Sequence, residues 1–109
     1  MWVIDKEKKY IYPAKPLLCP FCKIPLILHD FSPLYTRRYN FFHVDIHMKC
    51  PNCSFWATFG VPITEADYSV LMDSPYKGKV LKDELLEMQI LTAEESALIR
   101  KRLEALGYW

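Results

Sequence analysis

The chain has 109 residues, of which 51% are hydrophobic, 15% aromatic and 25% charged, with a formal net charge of +1. This composition excludes a disordered chain, and the charge balance excludes a strongly basic nucleic-acid binder. No apolar run is long enough to span a bilayer and the N-terminus lacks a basic-then-apolar leader pattern, so a soluble, cytoplasmic protein is expected.

The charge is unevenly spread. Residues 1–53 carry eight Lys/Arg and four Asp/Glu, whereas residues 54–109 carry six and nine. The patterning changes at nearly the same place. Residues 1–62 read as a β-rich part, and residues 63–109 as a helical part packed on it in one compact α+β domain.

Trp2-Val3-Ile4 and Tyr10-Ile11-Tyr12 flank a charged stretch and predict a hairpin over residues 2–12, although no Asn-Gly signal marks its turn. Pro13 and Pro16 end regular structure. Ile24 to Phe31 reads as a strand, with Leu26 and Leu28 on one face and Ile27, His29 and Phe31 on the other; Pro25 sets its start near an edge. Residues 32–39 are expected to connect it to the next strand. Asn40 to Lys49 has the clearest alternation, with Phe42, Val44, Ile46 and Met48 opposing Phe41, His43, Asp45, His47 and Lys49. A third strand, Ser54 to Val61, is closed by Gly60 and Pro62.

Thr64 is placed to cap a short helix that Ser74-Pro75 ends. Lys79 to Gln89 predicts a second helix, with Leu81, Leu85 and Met88 as its apolar stripe. Thr92 and Glu95 form a capping box for a third, running to about Leu106 with Ile99, Leu103 and Leu106 inward. Gly107 supplies its C-terminal cap, and Tyr108 and Trp109 fold back on the apolar surface.

The four cysteines fall in two pairs, Cys19-Pro20-Phe21-Cys22 and Cys50-Pro51-Asn52-Cys53. A tight C-x-x-C turn lets two sulfurs converge on one ion at about 2.3 Å, and two such turns complete a tetrahedron. Two disulfides are the other use of four cysteines, but this close spacing suits one metal better. Each proline stiffens its turn, and Lys23 and Lys49, next to ligands, can offset the negative cluster.

Two C-P-x-C knuckles joined by a hairpin, with a strand after the second, resemble a zinc ribbon over about residues 17–62. The resemblance implies one structural Zn²⁺ held by Cys19, Cys22, Cys50 and Cys53. Zinc ribbons serve transcription factors, polymerase subunits, ribosomal proteins and parts of enzymes. Those of the transcription-elongation type carry an acidic pair at the hairpin tip; here Arg37-Arg38 stand there, so that activity is not carried over. The rival four-thiolate reading is a rubredoxin-like iron electron carrier. Rubredoxins usually place glycine soon after the second cysteine of each knuckle, and this chain has Lys23 and Ser54 there.

A four-thiolate zinc has no open coordination position. No nucleophile–base pair, phosphate loop or H-E-x-x-H motif is present, so an enzyme is not expected. His43, Asp45 and His47 share one strand face, but side chains at i and i+4 lie about 13–14 Å apart, too far for one ion; a solvated face is expected. Tyr35, Arg37, Arg38 and Tyr39 combine rings and guanidinium groups on the expected loop, which suits stacking on bases and contact with phosphate. Phe41, Phe55, Trp56 and Phe59 could extend this surface. Arg100-Lys101-Arg102 is read as an ordinary solvated helix end. The sequence therefore points to a non-catalytic module that binds nucleic acid or a nucleic-acid machine. The alternative is a protein-interaction adaptor or small, oligomeric assembly subunit, to which the acidic helical half and the aromatic excess point.

Overall fold

A computed structural model describes residues 2–78 and 93–105. Among these residues the architecture is mostly β: two small antiparallel sheets and two helices. Strands β1 (Trp2–Asp5) and β2 (Tyr10–Pro13) form the first sheet. Strands β3 (Ile27–Thr36), β4 (Phe41–Lys49) and β5 (Trp56–Pro62) form the second, in the order β3-β4-β5. Helices α1 (Glu65–Met72) and α2 (Ala93–Ala105) follow. The expected helix Lys79–Gln89, the Thr92 half of the capping box, Leu106, the Gly107 cap and Tyr108-Trp109 lie outside the described residues.

The β1–β2 turn closes without Asn-Gly because an aspartate does the work. Asp5 Oδ1 accepts from the amides of Glu7 and Lys8 at 2.9 Å each, the Asp5 carbonyl accepts from Lys9 N at 2.8 Å, and Lys9 takes a left-handed φ of 61°.

The first long strand departs from its expected limits. It begins at Ile27 and runs to Thr36, so Ser32–Thr36 pair with β4 instead of looping out. The connection shrinks to a 3₁₀ turn, Arg37–Tyr39, closed by Asn40 at φ 47°. Pro33 is tolerated because β3 is an edge strand, where a missing amide proton breaks no ladder. The alternation is also broken. The register shifts between Leu28 and Asp30, leaving His29 as the extra residue of a bulge. Ile27, Leu28 and Phe31 are therefore all buried, whereas strict alternation put Leu28 opposite the other two.

β4 keeps its expected pattern: Val44, Ile46 and Met48 are fully buried on the core face. They meet Leu28 and Phe31 from β3, Ile11 from the hairpin, Leu71 from α1 and Ile99 from α2 in one cluster. Burial of each such aliphatic side chain contributes about 1.5–3 kcal/mol. The Thr64 hydroxyl accepts from Asp67 N at 3.1 Å, and Glu65 and Asp67 complement the start of α1. After α1, Ser74 N bonds to the Leu71 carbonyl, and Gly78 N reaches back to the Phe31 carbonyl at 2.8 Å. No helix of the described residues is long and apolar enough to cross a membrane.

Candidate metal centre

The two cysteine pairs converge at one end of the β3-β4-β5 sheet. The first precedes β3, and the second joins β4 to β5. Each knuckle is closed by the same backbone bond. Cys19 N donates to the Ile24 carbonyl at 2.9 Å, and Cys50 N donates to the Phe55 carbonyl at 3.0 Å. In the first knuckle Lys23 N also bonds to the Cys19 carbonyl, and Leu26 N to the Leu17 carbonyl. The ends of the two knuckles pack through Phe21 and Phe55, whose rings lie 5.7 Å apart edge to face.

The four sulfurs all lie within 4.8 Å of one another, and Cys19 Sγ is 3.7 Å from Cys53 Sγ. A tetrahedral ion with sulfur at about 2.3 Å requires an edge of about 3.8 Å. The donor set thus fits a tetrahedral metal. Among the described residues it is the one group of three or more Cys, His, Asp or Glu gathered closely enough to hold an ion.

The surroundings treat the sulfurs unequally. Cys22 N donates to Cys19 Sγ at 3.4 Å, and Asn52 N to Cys50 Sγ at 3.3 Å. The Asn52 side-chain amide crosses from the second knuckle and donates to Cys22 Sγ at 3.3 Å. Burial raises the Cys19 thiol, but hydrogen bonds from the Cys22 and Phe21 amides and from Cys50 and Cys53 outweigh it and lower it to about 7. Cys50 goes the other way: burial pushes it up to about 12, against the Asn52 and Cys53 amides. The first cysteine of each pair is buried in the main core and the second is half-exposed, so the centre is continuous with the core on one side.

The lack of glycine after the knuckles does not count against iron. Lys23 itself adopts φ 59°, so the tight left-handed turn after the first pair exists without glycine. The four thiolates are positioned for a metal ion, and they do not discriminate zinc from iron. Lys49 is buried, with its Nζ 5.8 Å from the centre of the Trp56 ring.

The opposite end of the sheet carries the expected tip. Arg37, Arg38 and Tyr39 are exposed, the Tyr39 ring at 70%, with the Arg38 guanidinium 5.4 Å from its centre. No acid lies in the turn. Tyr35 is not part of the loop. It sits in β3, stacked on Phe42 at 4.5 Å and 22°, and its hydroxyl donates to Asn40 Oδ1 at 2.9 Å.

The outward face of the sheet is less solvated than its alternation implies. His43, Asp45 and His47 are all half-buried. His43 Nε2 lies 3.6 Å from Asp45 Oδ1, and the His43 ring stacks on Phe41. His47 Nδ1 is bonded to Asp30, which the His29 bulge brings opposite it. Asp30 also lies 3.4 Å from His29 Nδ1, and the His29 ring meets Trp56 edge-on at 4.8 Å. Burial lowers the His29 imidazole, with Asp30 opposing. Sequence reasoning missed Asp30 and Asn52. Neither position carries a readable signal, because each role depends on a partner from another strand or knuckle.

No protein-family model matches the chain, and comparison with curated proteins and with solved structures returns no match.

Proposed function

We propose that the chain is a non-catalytic, zinc-stapled β module, active in a reducing compartment such as the cytoplasm, that binds nucleic acid through the tip between β3 and β4. The ion's role is structural. Four thiolates fill a tetrahedral shell, and the small sheet gains its closure at that end from the cross-link. Zinc is preferred to iron on the resemblance to zinc ribbons; elemental analysis and the absence of a red colour would check it.

The observation that carries the nucleic-acid reading is the Arg37–Tyr39 turn: two guanidinium groups and an exposed ring project together, with no acid among them. Guanidinium groups contact phosphates and an exposed ring accepts a stacked base. Tyr35 contributes by holding Asn40 and hence the shape of the turn.

Binding of labelled single-stranded RNA and DNA, followed by anisotropy across a salt series, tests this. Replacing Arg37 and Arg38 by Glu should weaken binding and flatten the logarithmic salt slope by about 1.4, since each phosphate contact on a single strand contributes about 0.7. Unchanged affinity and slope would remove the tip from the reading.

A second reading, a protein-interaction adaptor, draws on exposed apolar side chains at the metal end: Phe21 is 77% exposed, and Leu18 and Trp56 are more than half exposed. A partner protein retained after nuclease treatment, with no oligonucleotide binding, would favour it.

A further inference from the structure

The three-stranded sheet has two edges, and they are treated differently. The β3 edge is defended: it contains Pro33 and the His29 bulge, and Gly78 N bonds to its Phe31 carbonyl. Among the described residues the β5 edge has none of these devices. Trp56–Pro62 contains no charged residue and no bulge, and its single proline is its last residue. Among the described residues its ladder runs to β4 alone. Uncharged, unbulged edges are templates for further pairing.

The side chains point the same way. Val44, Ile46 and Met48 of β4 are fully buried, but Ala57, Phe59 and Val61 of β5 remain only half-buried. Trp2 packs on Phe59 at 5.4 Å without completing that burial. One more strand beside β5 would finish the apolar layer.

We propose that this strand is β5 of a second copy, paired antiparallel about a two-fold axis at Phe59, so that two copies share one six-stranded sheet. A two-fold contact requires a self-complementary surface, and β5 is one. Turned about Phe59, Ala57 faces the partner's Val61 and Phe59 faces the partner's Phe59, giving an apolar inward row. On the outward face Thr58 meets the partner's Gly60, and Trp56 meets the partner's Pro62, each a larger side chain beside a smaller one. The strand has no charge to be repelled by its own copy.

This pairing has a consequence for the outward face. Pro62 lies in register with His43 of β4, and His43 with Leu34 of β3, near the Arg37–Tyr39 turn. The partner's Trp56 stands at the end of that row in register, with its ring against His29 and Lys49 of its own copy. The dimer presents two Arg37–Tyr39 turns at opposite corners of one sheet. The pairing is independent of what the tip binds, and its test involves no nucleic acid.

Sedimentation equilibrium of the metal-loaded full chain should give twice the 12.9 kDa chain mass. The double substitution Thr58→Lys, Gly60→Lys sets lysines into the central outward rows. Both positions are exposed, and a Cβ at Gly60 meets only Asp45 Oδ1, at an ordinary 3.7 Å. This variant should raise the dimer dissociation constant at least about tenfold through like-charge opposition, while circular dichroism and metal content stay unchanged. If the variant fails to fold, hydrogen exchange of the unaltered protein decides: β5 amides should gain protection as concentration rises. A single-chain mass at every concentration would overturn the proposal. So would a dimer that the folded variant leaves intact, or β5 exchange that is independent of concentration.

Discussion

The side-chain amide of Asn52 donates to Cys22 Sγ at 3.3 Å, so each knuckle is tied to the other by a hydrogen bond as well as by a shared ion site. Partners of this kind orient ligands and stabilise the thiolate charge, and their loss costs about 10- to 100-fold in metal affinity. Asn52→Ala should weaken metal retention by that amount in a chelator competition. Asn52→Asp should be worse, because it brings a carboxylate against the thiolate. Equal affinities in all three proteins would show that the amide is a bystander.

Metal removal should unfold the β3-β4-β5 end first. Cys19 and Cys50 belong to the main core cluster together with Leu26, Ile27 and Met48, so opening the centre loosens that cluster. Chelation, or Cys19→Ser, should abolish the near-ultraviolet signal of the aromatic residues beside the centre and restore it when metal returns to the unaltered chain. A metal-free protein with native spectra and an unchanged melting temperature would contradict the structural role.

Stability should rise with pH through the thiol range. The metal-bound fold carries thiolates, whereas the unfolded chain holds four thiol protons below about pH 8.5. The unfolded state therefore binds more protons, and stability falls as pH is lowered. Burial of His29 adds in the same direction. Its folded-state value lies below that of a free imidazole, so its contribution is complete above the ordinary histidine value and is lost as pH falls through the lowered one. Unfolding free energy measured from pH 8 to 5 should decline steadily, and the His29→Gln variant should decline less steeply at the acidic end.

Ile99 joins α2 to the core formed by the sheets, although α2 begins beyond residues 79–92. Ile99→Ala should cost about 2–5 kcal/mol by denaturant titration, as expected for a fully buried aliphatic side chain. Glu94→Ala, at an exposed position of the same helix, should cost under about 0.5 kcal/mol. A neutral Ile99 variant would mean that α2 does not dock.

Lys9 reaches across from the β1–β2 turn to the Asp73 carboxylate after α1. The Lys9 hydrogen bond, reinforced by its charge, holds Asp73 below the usual carboxylate range. The linked stabilisation is present above the ordinary aspartate value and is lost as pH falls through the lowered one. Lys9→Met should return Asp73 to the ordinary range in an NMR titration, with little change in melting temperature because both side chains are exposed.

The sequence by itself determined what local chemistry can determine. The spacing of Cys19-Cys22 and Cys50-Cys53 announces a four-thiolate site, because two residues between thiols suffice to turn both sulfurs inward. The alternation of Val44, Ile46 and Met48 announces a one-sided strand, and Thr64 announces a helix start, since the cap acts within three residues. The tertiary structure decided everything that needed a partner from elsewhere. A bulge at His29, invisible in the one-strand pattern, turned Asp30 toward His47 and placed Leu28 in the core beside Phe31. Pairing with β4 drew Ser32–Thr36 out of the expected loop, because ladder bonds to a central strand outweigh the local preference of Ser-Pro to turn. Asn52 became a sulfur partner only once its knuckle faced Cys22. That β5 is an edge strand among the described residues was likewise a property of strand order: periodicity names the faces of a strand, but only the assembled sheet says which strand lies at its edge.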